Sequence, residues 1–148
     1  GEREYNLASI GFKYHLNNYA AALGLANLND LPANLERRRT IAAYYDTGLS
    51  KVDGVALFKY NNDRESAYWL YGFHVENRAA FILKLKQEGI PVSVVHQGIH
   101  KNDLFTHQSK QNISVQVQFD ASQIHIPVHN GLTDEQVEAI VDCIKSGW

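Results

Sequence analysis

Apolar and polar positions along the chain predict helices at both ends and a set of short strands in the middle. From Asn18 to about Leu31, Tyr19, Ala22, Leu23 and Ala26 recur at the three-and-four spacing of one helix face. Asn17 or Asn18 can cap that helix, since a side-chain carbonyl there satisfies an orphan amide of the first turn. Leu31-Pro32 predicts a break, because the residue before a proline resists the helical basin. Pro32 then suits the first turn of a second helix to about Leu49, with Leu35, Ile41, Tyr45 and Leu49 as its buried positions.

Val55 to Tyr60 and Ser66 to Val75 read as strands, the latter rich in aromatic and branched residues. Asn77 is placed to cap a helix from Arg78 to Glu88, and Gly89 followed by Pro91 predicts its end. Val92 to His96 is short and almost wholly apolar, which predicts an internal strand. Gln97 to Gln118 has no strong period and predicts a loop, with a short helix near residues 103–105. Gln123 to Val128 gives a fourth strand, ended by Pro127 and the turn His129-Asn-Gly131. Thr133 and Gln136 then form a capping box, and Val137, Ile140, Val141 and Ile144 make one apolar stripe. The order predicts an α+β fold: a small, largely antiparallel sheet of about four strands, packed with helices.

Composition narrows the class. The 148 residues suffice for one core, and 45% hydrophobic against 20% charged residues is a globular balance rather than a disordered one. A net charge of −2 excludes the broad basic field that nucleic acid or an anionic membrane surface requires. No apolar run approaches the length of a membrane span. The single cysteine, Cys143, cannot form an internal disulfide, which points to a reducing, cytoplasmic setting. Position 1 is glycine, so the start reads as a processed, cloned or truncated end.

Candidate chemistry is sparse. His96 and His100 are four apart, as are His125 and His129, a spacing that suits a metal only on a helix. The first pair leaves a strand end and the second spans Pro127, so no metal site is expected. His96 and His129 stand at or just after strand ends, where substrate-contacting groups sit on a rigid scaffold. No Gly-x-Ser-x-Gly elbow and no glycine-rich phosphate loop is present. Glu36 to Arg39 reads as a solvated helix face with local ion pairs. Tyr68, Trp69 and Tyr71 read as core. Lys13, Tyr14, His15, Asn17 and Asn18 crowd the approach to the first helix, where its positive end favours anions.

The run Gly11-Phe-Lys-Tyr-His-Leu-Asn-Asn-Tyr-Ala-Ala-Ala-Leu-Gly-Leu25, then Arg37-Arg-Arg-x-Ile-Ala-x-x-Tyr45, resembles the DegT/DnrJ/EryC1/StrS family. So do Tyr68-Trp-Leu-Tyr71, Val94-Val-His96, Ile126-Pro-Val-His129 and Gly131-Leu-Thr-Asp-Glu-Gln-Val137, in that order and spacing. Members are pyridoxal-phosphate-dependent aminotransferases acting on nucleotide-linked sugars. The resemblance covers the chain from Gly11 onward and implies the C-terminal small domain of a fold-type I transferase, residues 11–148. Residues 1–10 are then an arm or linker from a large N-terminal domain.

In the family that large domain holds the pyridoxal 5'-phosphate (pyridoxamine 5'-phosphate after the first half-reaction) and the Schiff-base lysine. No catalytic role therefore falls on any lysine of this chain. The implied reaction moves an amino group from an amino acid, usually glutamate, to a keto sugar on a nucleotide, in a homodimer. The Gly11 segment resembles the one that reaches the cofactor phosphate or substrate of the other subunit, which implies Lys13 and His15 as phosphate contacts and Tyr14 as a substrate contact. Many members carry Asn at the first position and Arg or Asn at the second; all keep donors aimed at an anion. The loop from His96 to Phe105 resembles the lining of the sugar-nucleotide site. That implies His96 and His100, with His129 nearby, as substrate contacts. A close variant has His-x-Arg-x-Asp there, whereas this chain has His96-Gln-Gly-Ile-His100. A dehydratase of the same family, and a non-catalytic binding or dimerisation module, are the alternative readings.

Overall fold

In a computed structural model, residues 16–96, 98–102 and 112–148 are described. The elements are α1 (Asn18–Leu49), β1 (Val55–Leu57), β2 (Tyr71–Val75), α2 (Arg78–Gln87), a 3-10 turn (Ile99–Lys101), α3 (Ser114–Ser122), β3 (Gln123–Ile126) and α4 (Asp134–Lys145). The chain forms two compact units, residues 1–32 and 33–148. In the first, Asn17 caps α1: its Oδ1 accepts from the Ala20 amide at 2.8 Å.

The break expected at Pro32 is absent, and α1 continues through it. Proline there removes one amide bond and crowds the carbonyl four residues back, a cost of about 3 kcal/mol. The buried residues of α1, Ile41, Ala42, Tyr45 and Leu49, all lie after Pro32, while Leu23, Leu25, Leu28 and Leu31 before it are exposed.

The second unit is built on an antiparallel sheet of order β1-β2-β3. Val55 pairs with Val75, Phe73 with Ile124 and Tyr71 with Ile126, so the apolar residues of all three strands share one face. Against it pack the later turns of α1, Phe81 and Leu85 of α2, and Val137, Ile140, Val141 and Ile144 of α4, all buried. The phenols that enter this core are satisfied: Tyr45 donates to the Pro127 carbonyl at 2.9 Å and Tyr71 to Asp46 at 2.7 Å. The capping box of α4 forms as expected, Thr133 Oγ1 accepting from the Gln136 amide and Gln136 Oε1 from the Thr133 amide. α2 ends in a Schellman motif, with Gly89 at φ 72° and the Ile90 amide reaching the Leu85 carbonyl.

Three strands stand where about four were expected. Val92 to His96 makes only one bridge, Ser93 with His125. Val94 is 44% exposed and His96 takes φ 62°, so this segment lies at the sheet's margin rather than inside it. The strand expected from Ser66 starts at Tyr71, because Tyr68 at φ 45° turns the chain out of extended geometry. Asn77 precedes α2 but makes no side-chain cap, sitting at φ 46° itself. Residues 114–118, expected as the tail of a loop, instead open α3, which runs on to Ser122. The short helix expected near residues 103–105 falls outside the described residues. Among the described residues, no helix is long and apolar enough to cross a membrane.

Candidate functional site

The opposite face of the sheet is polar and carries the candidate chemistry. Gly72 pairs with His125 and His74 with Gln123, which puts both imidazoles on that face. α3 covers them. Phe119 stands edge-on to His74 at 4.9 Å, Phe58 does the same at 4.8 Å, and the two phenyl rings stack at 5.3 Å. His74 Nδ1 lies 2.9 Å from Ser122 Oγ, whose own proton goes to the Gln118 carbonyl. His74 Nδ1 must therefore be the donor, which fixes the tautomer with the proton on Nδ1. Burial pushes the pKa of both imidazoles down. A β-carbon at Gly72 would come within 2.8 Å of both the His125 and Phe58 rings, so glycine is required by the close approach.

The segment after the Ser93 bridge is tied to the end of α3. Gln123 Nε2 donates to the His96 carbonyl at 3.4 Å, and Arg78 donates to the carbonyls of Asp120 and Gln123. Asp120 is 3% exposed. Its Oδ1 accepts from Gln116 Nε2 at 2.7 Å, and its Oδ2 faces Lys101 Nζ at 3.4 Å and His100 Nε2 at 4.0 Å. A side chain at residue 98 would run into the Asp120 carboxylate and the His100 ring, so Gly98 lets the turn close on the acid. Burial pushes the Asp120 carboxyl up, but bonds from Gln116 and Lys101, the Lys101 charge and the Gly98 backbone outweigh it. The net shift is downward, and Asp120 is ionised at neutral pH.

The expected site residues separate into three groups. Lys13, Tyr14 and His15 lie outside the described residues. His96 and His100 belong to one segment, the first exposed with its ring 5.8 Å from the Trp69 indole, the second over Asp120. His129 lines a different cavity of about 430 Å³ beside Gly89, Pro91, Pro127 and Gln136. Among the described residues no hydrogen bond, ion pair or ring contact joins His129 to the other two histidines. Trp69, expected as core, is 68% exposed, while Tyr71 is buried and Tyr68 half-buried. The arginine run is not a solvated face. Arg37 reaches Asp134 and the Leu132 carbonyl, Arg38 the Tyr68 carbonyl, and Arg39 the Ser66 carbonyl and Glu65. Three consecutive guanidinium groups thus tie two separate loops, at residues 65–68 and 130–134, to α1.

The chain as a whole is similar to known proteins. The DegT/DnrJ/EryC1/StrS aminotransferase family matches residues 1–145. The chain belongs to that family. Among solved structures it is similar to the sugar aminotransferase CalS13 of Micromonospora echinospora, with 34% identity and a TM-score of 0.90 over 98% of this chain and 39% of that one. AtS13 of Actinomadura melliaura gives 32% identity and a TM-score of 0.89, over 97% of this chain and 38% of that one. Among curated relatives, the dTDP-4-dehydro-2,3,6-trideoxy-D-glucose 4-aminotransferase of Saccharopolyspora spinosa is 29% identical over 94% of this chain and 36% of its own length. The chain thus spans about two fifths of the length of these DegT-family relatives.

DegT-family aminotransferases depend on pyridoxal phosphate. The described residues do not fit a Schiff-base site for it. Such a lysine needs a desolvated, neutral amine. Here Lys51, Lys59, Lys86, Lys101 and Lys145 are exposed, and Lys84 lies 3.1 Å from Glu88 with its side chain 30% exposed, so none of them is desolvated. Among the described residues no group of three or more His, Cys, Asp or Glu side chains could hold a metal ion.

Proposed function

We propose that this chain is the C-terminal part of a pyridoxal-phosphate-dependent aminotransferase acting on a nucleotide-linked keto sugar. The observation that carries the reading is the family match across residues 1–145 joined to the TM-score of 0.90 and 34% identity with a sugar aminotransferase. The amino group leaves an amino acid, glutamate in this reading, as that acid becomes its 2-oxo acid; the group then replaces the ketone oxygen of the sugar. Cofactor and Schiff-base lysine belong to the longer protein, residues 1–10 are the arm leading from it, and the enzyme works as a cytoplasmic homodimer.

Within this chain, Lys13 and His15 are proposed to donate to the cofactor phosphate of the other subunit and Tyr14 to touch substrate. His96, His100 and His129 are proposed substrate contacts. The geometry supports the first two as one set, because both stand on the segment that Asp120 and Gln123 hold.

The test is amino transfer itself. A longer chain carrying the upstream sequence, given glutamate and a nucleotide keto sugar, should form 2-oxoglutarate in step with an amino sugar, and this chain alone should form none. Lys13→Ala in the longer chain should weaken cofactor retention or lower turnover. Unchanged occupancy and kinetics would remove Lys13 from the site, and absence of sugar-dependent 2-oxoglutarate would remove the function.

A further inference from the structure

Asp120 is a buried acid that no sequence motif announces and that the proposed chemistry does not use. It is the one carboxylate in the described part of the chain with 3% exposure, and burying such a charge is costly unless it is paired. Its Oδ1 is satisfied by Gln116. Its Oδ2 faces two cationic or polar groups, Lys101 at 3.4 Å and His100 at 4.0 Å. Both belong to the 3-10 turn at residues 99–101, and Gly98 leaves room for that turn to settle on the acid. The acid itself is held from behind: Arg78 grips its carbonyl and Gln123 grips the carbonyl of His96. Among the described residues the turn's backbone-to-backbone bonds are local, Lys101 to Gly98 and Asn102 to Ile99, and the Gly98 backbone lies against the Asp120 carboxylate.

We propose that Asp120 is a positioning residue, whose buried carboxylate latches the 98–102 turn through Lys101 and so sets where His100 points. The inference rests on the proposed function for what the turn contacts, but not for the latch. A latch of this kind lets the turn be locally weak in hydrogen bonding yet fixed in place. It also explains why the sequence places a lysine and a histidine side by side after a glycine. The lysine supplies the charge that makes the buried acid tolerable, and the histidine remains 24% exposed at the surface.

The experiment is a double-mutant cycle read by hydrogen exchange on this chain, without substrate. Asp120→Asn keeps the shape and the capacity to accept a bond but removes the charge. Lys101→Gln removes the other charge from a half-exposed position that tolerates substitution. Each change should speed exchange of the 98–102 amides about tenfold while the β2 amides stay at wild-type rates. The double variant should be no faster than either single one, because the two residues act through one contact. Additive effects, or unchanged exchange in the turn with only a lower melting temperature, would overturn the proposal and make Asp120 a packing residue. If Asp120→Asn fails to fold, Lys101→Gln alone decides, since no change at 98–102 in that variant contradicts the latch. Because no substrate enters, failure here leaves the aminotransferase reading standing, and failure of amino transfer leaves the latch standing.

Discussion

The two faces of the sheet in residues 33–148 are built on opposite rules. One face is sealed by α1, α2 and α4 around apolar side chains, and the two buried phenols that enter it, Tyr45 and Tyr71, have their hydroxyls bonded. The other is covered by α3 and holds two imidazoles, a buried acid and two aromatic rings. Apolar burial concentrates in the first and buried polar groups in the second. That division is physical: apolar burial is tolerant and additive, whereas buried polar groups hold one arrangement and are costly in any other.

The largest effect should therefore come from the sealed face. Ile140→Ala removes a side chain 5% exposed in the centre of the α4 stripe and should cost about 2–5 kcal/mol, measured by denaturant unfolding. A loss below about 1 kcal/mol would mean that α4 is not the core element described. On the polar face Gly72→Ala should cost about 1–3 kcal/mol through overpacking, because the new methyl meets the His125 and Phe58 rings within 2.8 Å. A neutral or stabilising outcome would show that these rings move freely and that the face is loosely covered.

The smallest effect is a pH dependence that only the polar face should show. Burial holds the pKa of His74 and His125 below the ordinary imidazole value, so the folded chain binds fewer protons than the unfolded one. Stability from these groups is fully present above about pH 6.5 and is lost as pH falls below it toward their folded values. Thermal melts between pH 7.5 and 5 should show that fall. His74→Asn should flatten part of it, while Ile140→Ala should lower the whole curve without changing its slope. A slope unaffected by His74→Asn would detach the histidine from the effect.

Much of the sealed face could be seen in the sequence, because its signals are local and redundant. The Thr133–Gln136 box and the stripe from Val137 to Ile144 state one helix twice. The polar face carried no such signal. In α3 the apolar residues Val115, Val117 and Phe119 alternate, which is a strand's period. Val115 and Val117 are 79% and 50% exposed, so no apolar stripe was there to be read. Asp120 resembles any surface acid until Lys101 and Gly98, about twenty residues away, are brought to it. The arginine run misled for a related reason: half of its partners are backbone carbonyls, which leave no trace in sequence. The helix through Pro32 shows that a proline weakens a helix locally without necessarily ending it. His96 and His100 could be proposed by resemblance to the family, but the support under them could not.

The central claim is that this chain contributes to an aminotransferase site whose reactive centre lies elsewhere in a longer protein. The most direct measurement is the Schiff-base absorbance after adding pyridoxal phosphate to this chain and, separately, to a chain extended upstream of Gly1. The account predicts a strong band in the extended chain, abolished by borohydride reduction, and none in this chain. A strong, stoichiometric band in this chain alone would contradict it.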